Sequence, residues 1–131
     1  MYKILGIINL ILLTVITSPY WLRHLARRFF PKKKIASSKL MKVLRTIHKP
    51  LGVSLLLIAL VHGYLALGAL RLHTGTLVGI MVFTTVMLGI LFYKKKKAVF
   101  FKWHKRAALL TVLLTLLHLF APNALYYIFP I

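Results

Sequence analysis

The chain of 131 residues contains no aspartate, no glutamate and no cysteine. Without carboxylates it cannot form a Ser-His-Asp triad, a two-carboxylate glycosidase site or an oxygen cage for Mg²⁺ or Ca²⁺. Without thiols it has no disulfide, no thiol nucleophile, no cysteine zinc site and no iron–sulfur ligand. Its chemistry must therefore come from six histidines, the basic residues, six tyrosines and the hydroxyl groups.

The 19 lysines and arginines are grouped between long apolar runs. This grouping argues against nucleic acid as a partner, since a basic nucleic-acid-binding face would not be interrupted by apolar segments. Each of the four runs approaches the roughly 20 residues that cross a bilayer as a helix. Soluble buried helices are the alternative, but a chain that is 60% hydrophobic has too few polar faces to solvate that fold. We expect an all-α, four-helix transmembrane bundle in one domain, with spans at about 2–22, 48–70, 76–93 and 104–121.

The first run and the basic loops predict the topology. A signal peptide is the alternative for the first run, but Val15-Ile16-Thr17 is a poor cleavage site and Tyr20-Trp21 is typical of a membrane interface. The basic loops 23–47 and 94–103 are expected in the cytoplasm by the positive-inside rule, with both termini outside a bacterial or archaeal plasma membrane. Within the first loop, Arg27–Lys34 is expected to lie on anionic headgroups, with docking of an acidic partner as the alternative. Ser37–Arg45 is expected to form an amphipathic helix leading into the second span.

Four of the six histidines form two pairs with the same spacing. His48 and His62 are fourteen residues apart in the second span, and so are His104 and His118 in the fourth. Fourteen helical steps turn about 1400°, close to four full turns, and rise about 21 Å. Because the two spans run in the same direction, His48 is expected beside His104 at the cytoplasmic level and His62 beside His118 toward the outer level.

Two facing imidazoles at each of two depths predict two axial-ligand pairs for haem iron. Ordinary helix-packing histidines are the alternative, although ionisable groups inside a membrane are costly and are functional by default. Small residues follow the first ligand of each pair by four positions, namely Gly52 and Ala108. They leave room for a macrocycle, or they are ordinary helix packing. The glycines of the third span are interpreted as packing.

The stretch Ile47-His48-Lys49-Pro50-Leu51-Gly52 through His62 resembles the first histidine helix of the ferric reductase and NADPH oxidase transmembrane domain, and of cytochrome b. Trp103-His104-Lys105-Arg106 through His118 resembles the second. The resemblance covers roughly residues 44–121. It implies a bis-haem helical bundle with two haem b groups, in which His48 and His104 bind the inner iron and His62 and His118 the outer iron.

The other charged residues near these ligands have smaller predicted roles. The cations that flank the inner pair are expected to hold haem propionates, since the chain has no acids to neutralise them. Plain positive-inside charge is the alternative. His24 and His73 are expected to be an interfacial and an exposed turn histidine. The four flanking cations are Arg45, Lys49, Lys105 and Arg106.

The sequence thus predicts transmembrane electron transfer by a small cytochrome b subunit, with the haems supplying the redox chemistry. Its partners would be the lipid bilayer and a redox subunit or a quinone, and its haems would either oxidise quinol or deliver electrons to that partner. Two other functions stay open: a cation or metal transporter that uses the histidine column, and a structural subunit. The absence of acids inside the membrane argues against coupled cation transport.

Overall fold

The computed structural model describes residues 1–30, 38–68 and 73–128. These residues form five helices and no strand, which confirms the all-α class. Of the expected headgroup segment Arg27–Lys34, residues 31–34 lie outside the described residues, and so does the turn at Arg71. The helices are α1 (Tyr2–Phe29), α2 (Lys39–Leu67), α3 (Thr74–Lys95), α4 (Ala98–Phe120) and α5 (Ala124–Ile128).

The helix ends follow from local sequence chemistry. The Ser38 hydroxyl accepts a hydrogen bond from the Met41 amide, which caps α2. At the other end of α2, Gly68 has a φ of 62°, a left-handed conformation that favours glycine. The amphipathic segment predicted before the second span is thus the first part of one continuous helix, α2.

The helices pack as two antiparallel hairpins, α1 with α2 and α3 with α4. A smaller contact between α2 and α3 joins the hairpins. The two helices that carry the histidine pairs, α2 and α4, run in the same direction and are not an extensively packed pair. Their histidines therefore face each other across a gap between the helices.

Three helices are long and apolar enough to cross a membrane: α1, α2 and α3. The expected fourth span is not among them. The first part of α4 carries Lys102, Lys105 and Arg106, so the apolar part is confined to Ala107–Phe120. At 1.5 Å per residue this segment is about 21 Å long, shorter than the roughly 30 Å hydrocarbon core of a bilayer.

Little of the apolar surface is covered by the protein itself. The buried apolar side chains of the described residues are Met41, Leu55, Val82 and Ala107. Large apolar side chains along all four long helices are exposed, including Ile11, Leu57, Phe83 and Leu113. Such a surface is compatible with contact to a lipid bilayer.

Candidate haem-ligand site

His48 and His104 face each other at one end of the molecule. Their ring centroids are 6.0 Å apart and their planes are inclined by 75°. His48 comes from α2 and His104 from α4, so this contact crosses the gap between the two histidine helices. The geometry matches the expected pairing of these two residues at one depth.

His118 packs against His73 rather than against His62. The ring centroids of His73 and His118 are 5.6 Å apart, in an edge-to-face arrangement. Among the described residues no ring contact joins His62 to His118, although the two imidazoles are near enough to interact electrostatically. The direct pairing seen for His48 and His104 is therefore not repeated by His62 and His118.

Three of the four predicted ligands are anchored to main-chain carbonyl groups of the neighbouring helix. His48 Nδ1 donates to the Ile16 carbonyl at 3.2 Å, and His62 Nδ1 donates to the Tyr2 carbonyl at 2.8 Å. On the other hairpin, His104 Nδ1 donates to the carbonyl of Thr85 at 2.8 Å. A carbonyl can only accept, so each of these rings carries its proton on Nδ1.

His118 reaches the same protonation state through a hydroxyl group. Thr74 Oγ1 donates to the Pro122 carbonyl at 2.6 Å, and it lies 2.9 Å from His118 Nδ1. Because the hydroxyl hydrogen is used on Pro122, the oxygen accepts from His118 Nδ1–H. The Thr74 side chain is 1% exposed, so water does not compete for this bond.

The four anchors use Nδ1 of each ring. Within residues 1–30, 38–68 and 73–128, no hydrogen bond involves Nε2 of His48, His62, His104 or His118. Histidines that bind metals are normally held in this way, with one nitrogen on the metal and the other donating to a carbonyl or a similar acceptor. The hydrogen bonding of all four rings is therefore compatible with a role of Nε2 as a ligand.

Glycines allow three of these imidazoles to approach a neighbouring helix. A Cβ atom on Gly6 would lie 3.1 Å from Cε1 of His62. Corresponding contacts are 3.1 Å between Gly75 and His118 and 3.2 Å between Gly89 and His104. Gly75 and Gly89 are fourteen residues apart, the same interval as the histidines that cover them. Because these glycines lack side chains, the imidazole rings can pack against the main chain of the neighbouring helix. The interpretation of the third-span glycines as general helix packing missed this role.

Pro19 lies inside α1, three residues after Ile16, whose carbonyl accepts from His48. Pro19 has no amide hydrogen for the Val15 carbonyl and its ring displaces that turn of α1. The Ser18 hydroxyl donates to the Val15 carbonyl at 2.6 Å instead. The next carbonyl, that of Ile16, is the one that accepts from His48.

No family model, curated protein or solved structure matches this chain. No cluster of three or more metal-ligating side chains occurs in the described part of the chain. A haem iron between two imidazoles takes two protein ligands and does not require such a cluster.

The predicted small residues have different surroundings. A Cβ on Gly52 would meet nothing within 4 Å, so the surface beside His48 is open there. Ala108 is half-buried on α4, four residues after His104. The predicted role of these two residues in leaving room for a macrocycle stays a prediction.

The four flanking cations are exposed at the end of the molecule where His48 and His104 meet. Lys49 Nζ lies 3.6 Å from the centre of the Tyr93 ring. Lys105 lies over Phe101 and Arg106 over Trp103, at 4.8 and 5.1 Å. Arg45 is exposed one turn before Lys49. These aromatic contacts position three of the cations near the inner histidine pair without neutralising them.

The two remaining histidines differ from each other. His24 is exposed, as expected for an interfacial residue. The expectation of an exposed turn histidine at 73 is wrong. His73 is half-buried, because its Nδ1 accepts from the Gly75 amide at 3.2 Å and caps α3. Its Nε2–H points to the Asn123 side-chain oxygen at 3.4 Å, which links the start of α3 to the segment after α4.

Proposed function

We propose that this protein is a membrane cytochrome that binds two haem b groups and transfers electrons across the bilayer. The observation that carries the proposal is the common state of four histidines on two parallel helices. Each has Nδ1 bonded to an acceptor on the neighbouring helix and a free Nε2. One such imidazole would be explained by helix packing, but four at two depths are better explained by ligation.

The inner pair supports the proposal through its proximity. The ring centroids of His48 and His104 are 6.0 Å apart. These two residues would hold the inner iron through their Nε2 atoms. The absence of extensive packing between α2 and α4, together with the open surface at Gly52, favours a planar group between these helices.

In this proposal the protein holds and orients the haem groups, and the haem groups carry out the redox reaction. His48 and His104 supply the inner ligands, and His62 and His118 the outer ligands. When bound, haem supplies reversible one-electron chemistry at iron. The hydrogen bonds at Nδ1 fix the ring orientations and raise the basicity of Nε2. Arg45, Lys49, Lys105 and Arg106 supply positive charge for the inner carboxylate groups of the cofactor.

The proposal includes a fourth crossing by α4. The apolar part of α4 is short, but the next segment contains Leu125, Tyr126, Tyr127 and Ile128. Tyrosine is favoured at membrane interfaces, so these residues extend the apolar length of the chain to the interface. With α4 in the membrane, both histidine pairs lie between helices that cross it in the same direction.

The proposed partners follow from the chemistry of transfer. An electron path needs a donor on one side of the membrane and an acceptor on the other. We assign these roles to quinol or to a redox subunit, so that the chain serves as a cytochrome subunit of a larger complex. A net charge of +19 favours a partner surface with negative charge, in addition to anionic lipid.

An absorption spectrum of the purified protein tests the proposal. We expect a reduced b-type spectrum and two haems per chain after expression with haem supply. A variant with His48 and His62 both changed to alanine should contain none, whereas His24→Ala, which removes an exposed histidine outside the site, should retain both. A colourless wild-type protein that binds metal ions would instead support transport, and a colourless protein without metal would support a structural role.

A further inference from the structure

An apolar cleft lies at the basic end of the first hairpin, away from the histidines. Four side chains of α1 and two of α2 line it, and its volume is about 280 Å³. This volume is at the lower end of the roughly 300–1,000 Å³ typical of pockets for drug-sized ligands, so the cleft suits a segment of flexible hydrocarbon. The main lining residues are Leu22, Leu25, Ala26, Phe29, Leu40 and Met41.

Arg23 follows the cleft residue Leu22 in α1 but does not itself line the cleft. Its Nε atom is buried and has no hydrogen-bond partner among the described residues. Arg23 lies about 60° around α1 from Ala26, which lines the cleft. Leaving a buried charged donor without an acceptor is costly. The chain offers no carboxylate side chain to meet this need, because it contains no acidic residue.

An occupant that satisfies both features needs an anionic group and an apolar chain. The surrounding charge favours the same chemistry, since Arg27, Lys39 and Lys42 are exposed on the helix ends that enclose the cleft. A zwitterionic lipid such as phosphatidylcholine also carries a phosphate, but its choline cation would be repelled by Arg23 and by the exposed cations around the cleft. A soluble anion would pair with Arg23 but leave the cleft empty.

We propose that this cleft is a binding site for one anionic phospholipid, with an acyl chain against Met41 and the phosphate on Arg23. The guanidinium donates charge-assisted hydrogen bonds to the phosphate oxygens. The site belongs to the α1–α2 hairpin alone. It is therefore independent of the proposed function, and it stands or falls without reference to cofactor binding.

Lipid titration followed by native mass spectrometry tests this site. Detergent-purified wild-type protein is titrated with phosphatidylglycerol and, separately, with phosphatidylcholine of the same chain length. We expect one phosphatidylglycerol to bind at least tenfold more tightly than phosphatidylcholine. Arg23→Gln should weaken this binding about tenfold. Lys3→Gln removes the same charge from an exposed position at the opposite end of α1, and it should change the affinity less than twofold.

A second variant tests the apolar part of the site. Ala26→Leu places extra side-chain volume in the cleft, and it should weaken binding of phosphatidylglycerol while leaving the charge unchanged. Circular dichroism of each variant checks that the helices are retained. Equal losses in Arg23→Gln and Lys3→Gln, or equal affinity of the wild type for the two lipids, would overturn the proposal. So would unchanged binding in both Arg23→Gln and Ala26→Leu.

Discussion

The imidazole of His104 lies over Gly89 of the adjacent helix, at a distance that leaves no room for a side chain. A Cβ atom at position 89 would be 3.2 Å from Cε1 and 3.3 Å from Nδ1 of His104. The same ring donates to the carbonyl of Thr85, one turn earlier in α3. His62 repeats the arrangement over Gly6 and the Tyr2 carbonyl. In both places, the glycine lets the imidazole ring approach the main chain of the neighbouring helix. A carbonyl group one turn earlier in that helix then accepts a hydrogen bond from the ring.

Gly89→Ala should therefore weaken haem binding at the inner site. The added methyl group must displace His104 or separate α3 from α4, and overpacking of this kind costs about 1–3 kcal/mol. Gly79→Ala is the matched control in the same helix, because its Cβ would meet nothing within 4 Å. We expect one haem to be lost or weakly held in Gly89→Ala and two to be retained in Gly79→Ala. Equal haem contents in the two variants would contradict the role assigned to Gly89.

Double variants of the histidines test the pairing by depth. If His62 and His118 bind the same iron, then His62→Ala, His118→Ala and their combination should each retain one haem per chain. The combination of His48→Ala with His62→Ala should retain none. Haem content determined against protein concentration is the measurement. Loss of both haems from a folded His118→Ala protein would show that the pairing is wrong.

Thr74→Val should weaken the outer site through His118. Valine preserves the shape of threonine but removes the oxygen that accepts from His118 Nδ1–H. Loss of such an outer hydrogen bond typically lowers metal affinity 10–100-fold. Thr74→Ser should restore binding. Thr84→Val is the control, since the Thr84 hydroxyl is exposed and bonds only the Ile80 carbonyl of its own helix. Titration of haem into the apoprotein gives the affinities.

Cysteine labelling distinguishes three spans from four. Lys97 lies between α3 and α4, and Tyr127 lies in α5 and is 83% exposed. If α4 crosses the membrane, Lys97→Cys and Tyr127→Cys should react with an impermeant reagent from opposite sides. We expect Lys97→Cys to be cytoplasmic, because the adjacent lysine run is a positive-inside signal. Labelling of both cysteines from the same side would exclude a fourth span.

Periodicity and composition were sufficient for the coarse fold and for the inner histidine pair. The apolar runs predict the long helices, and an interval of fourteen residues predicts that each helix presents both histidines on one face. The contact between His48 and His104 agrees with that geometry. The predicted fourth span is not among the helices that are long and apolar enough to cross a membrane. Lys105 and Arg106 shorten the apolar part of α4.

The anchors of the histidines were not predictable from spacing in α2 and α4 alone. They depend on which turns of α1 and α3 lie opposite, and helix registry is a tertiary property. One signal was present in the sequence, since Gly75 and Gly89 repeat the interval of the histidines. The capping role of His73 had no such signal, because it arises from the turn that precedes α3.

Each hairpin carries two of the four proposed ligands, and under the proposed function this division would link cofactor binding to tertiary assembly. A group bound by α2 and α4 together stabilises the docked arrangement of the hairpins by an amount set by its concentration and affinity. The protein itself makes little direct contact between those two helices. Each hairpin, in contrast, has its own interhelical hydrogen bonds, from His48 and His62 to α1 and from His104 and His118 to α3. Without cofactor, the hairpins should therefore separate in the membrane before either one unfolds.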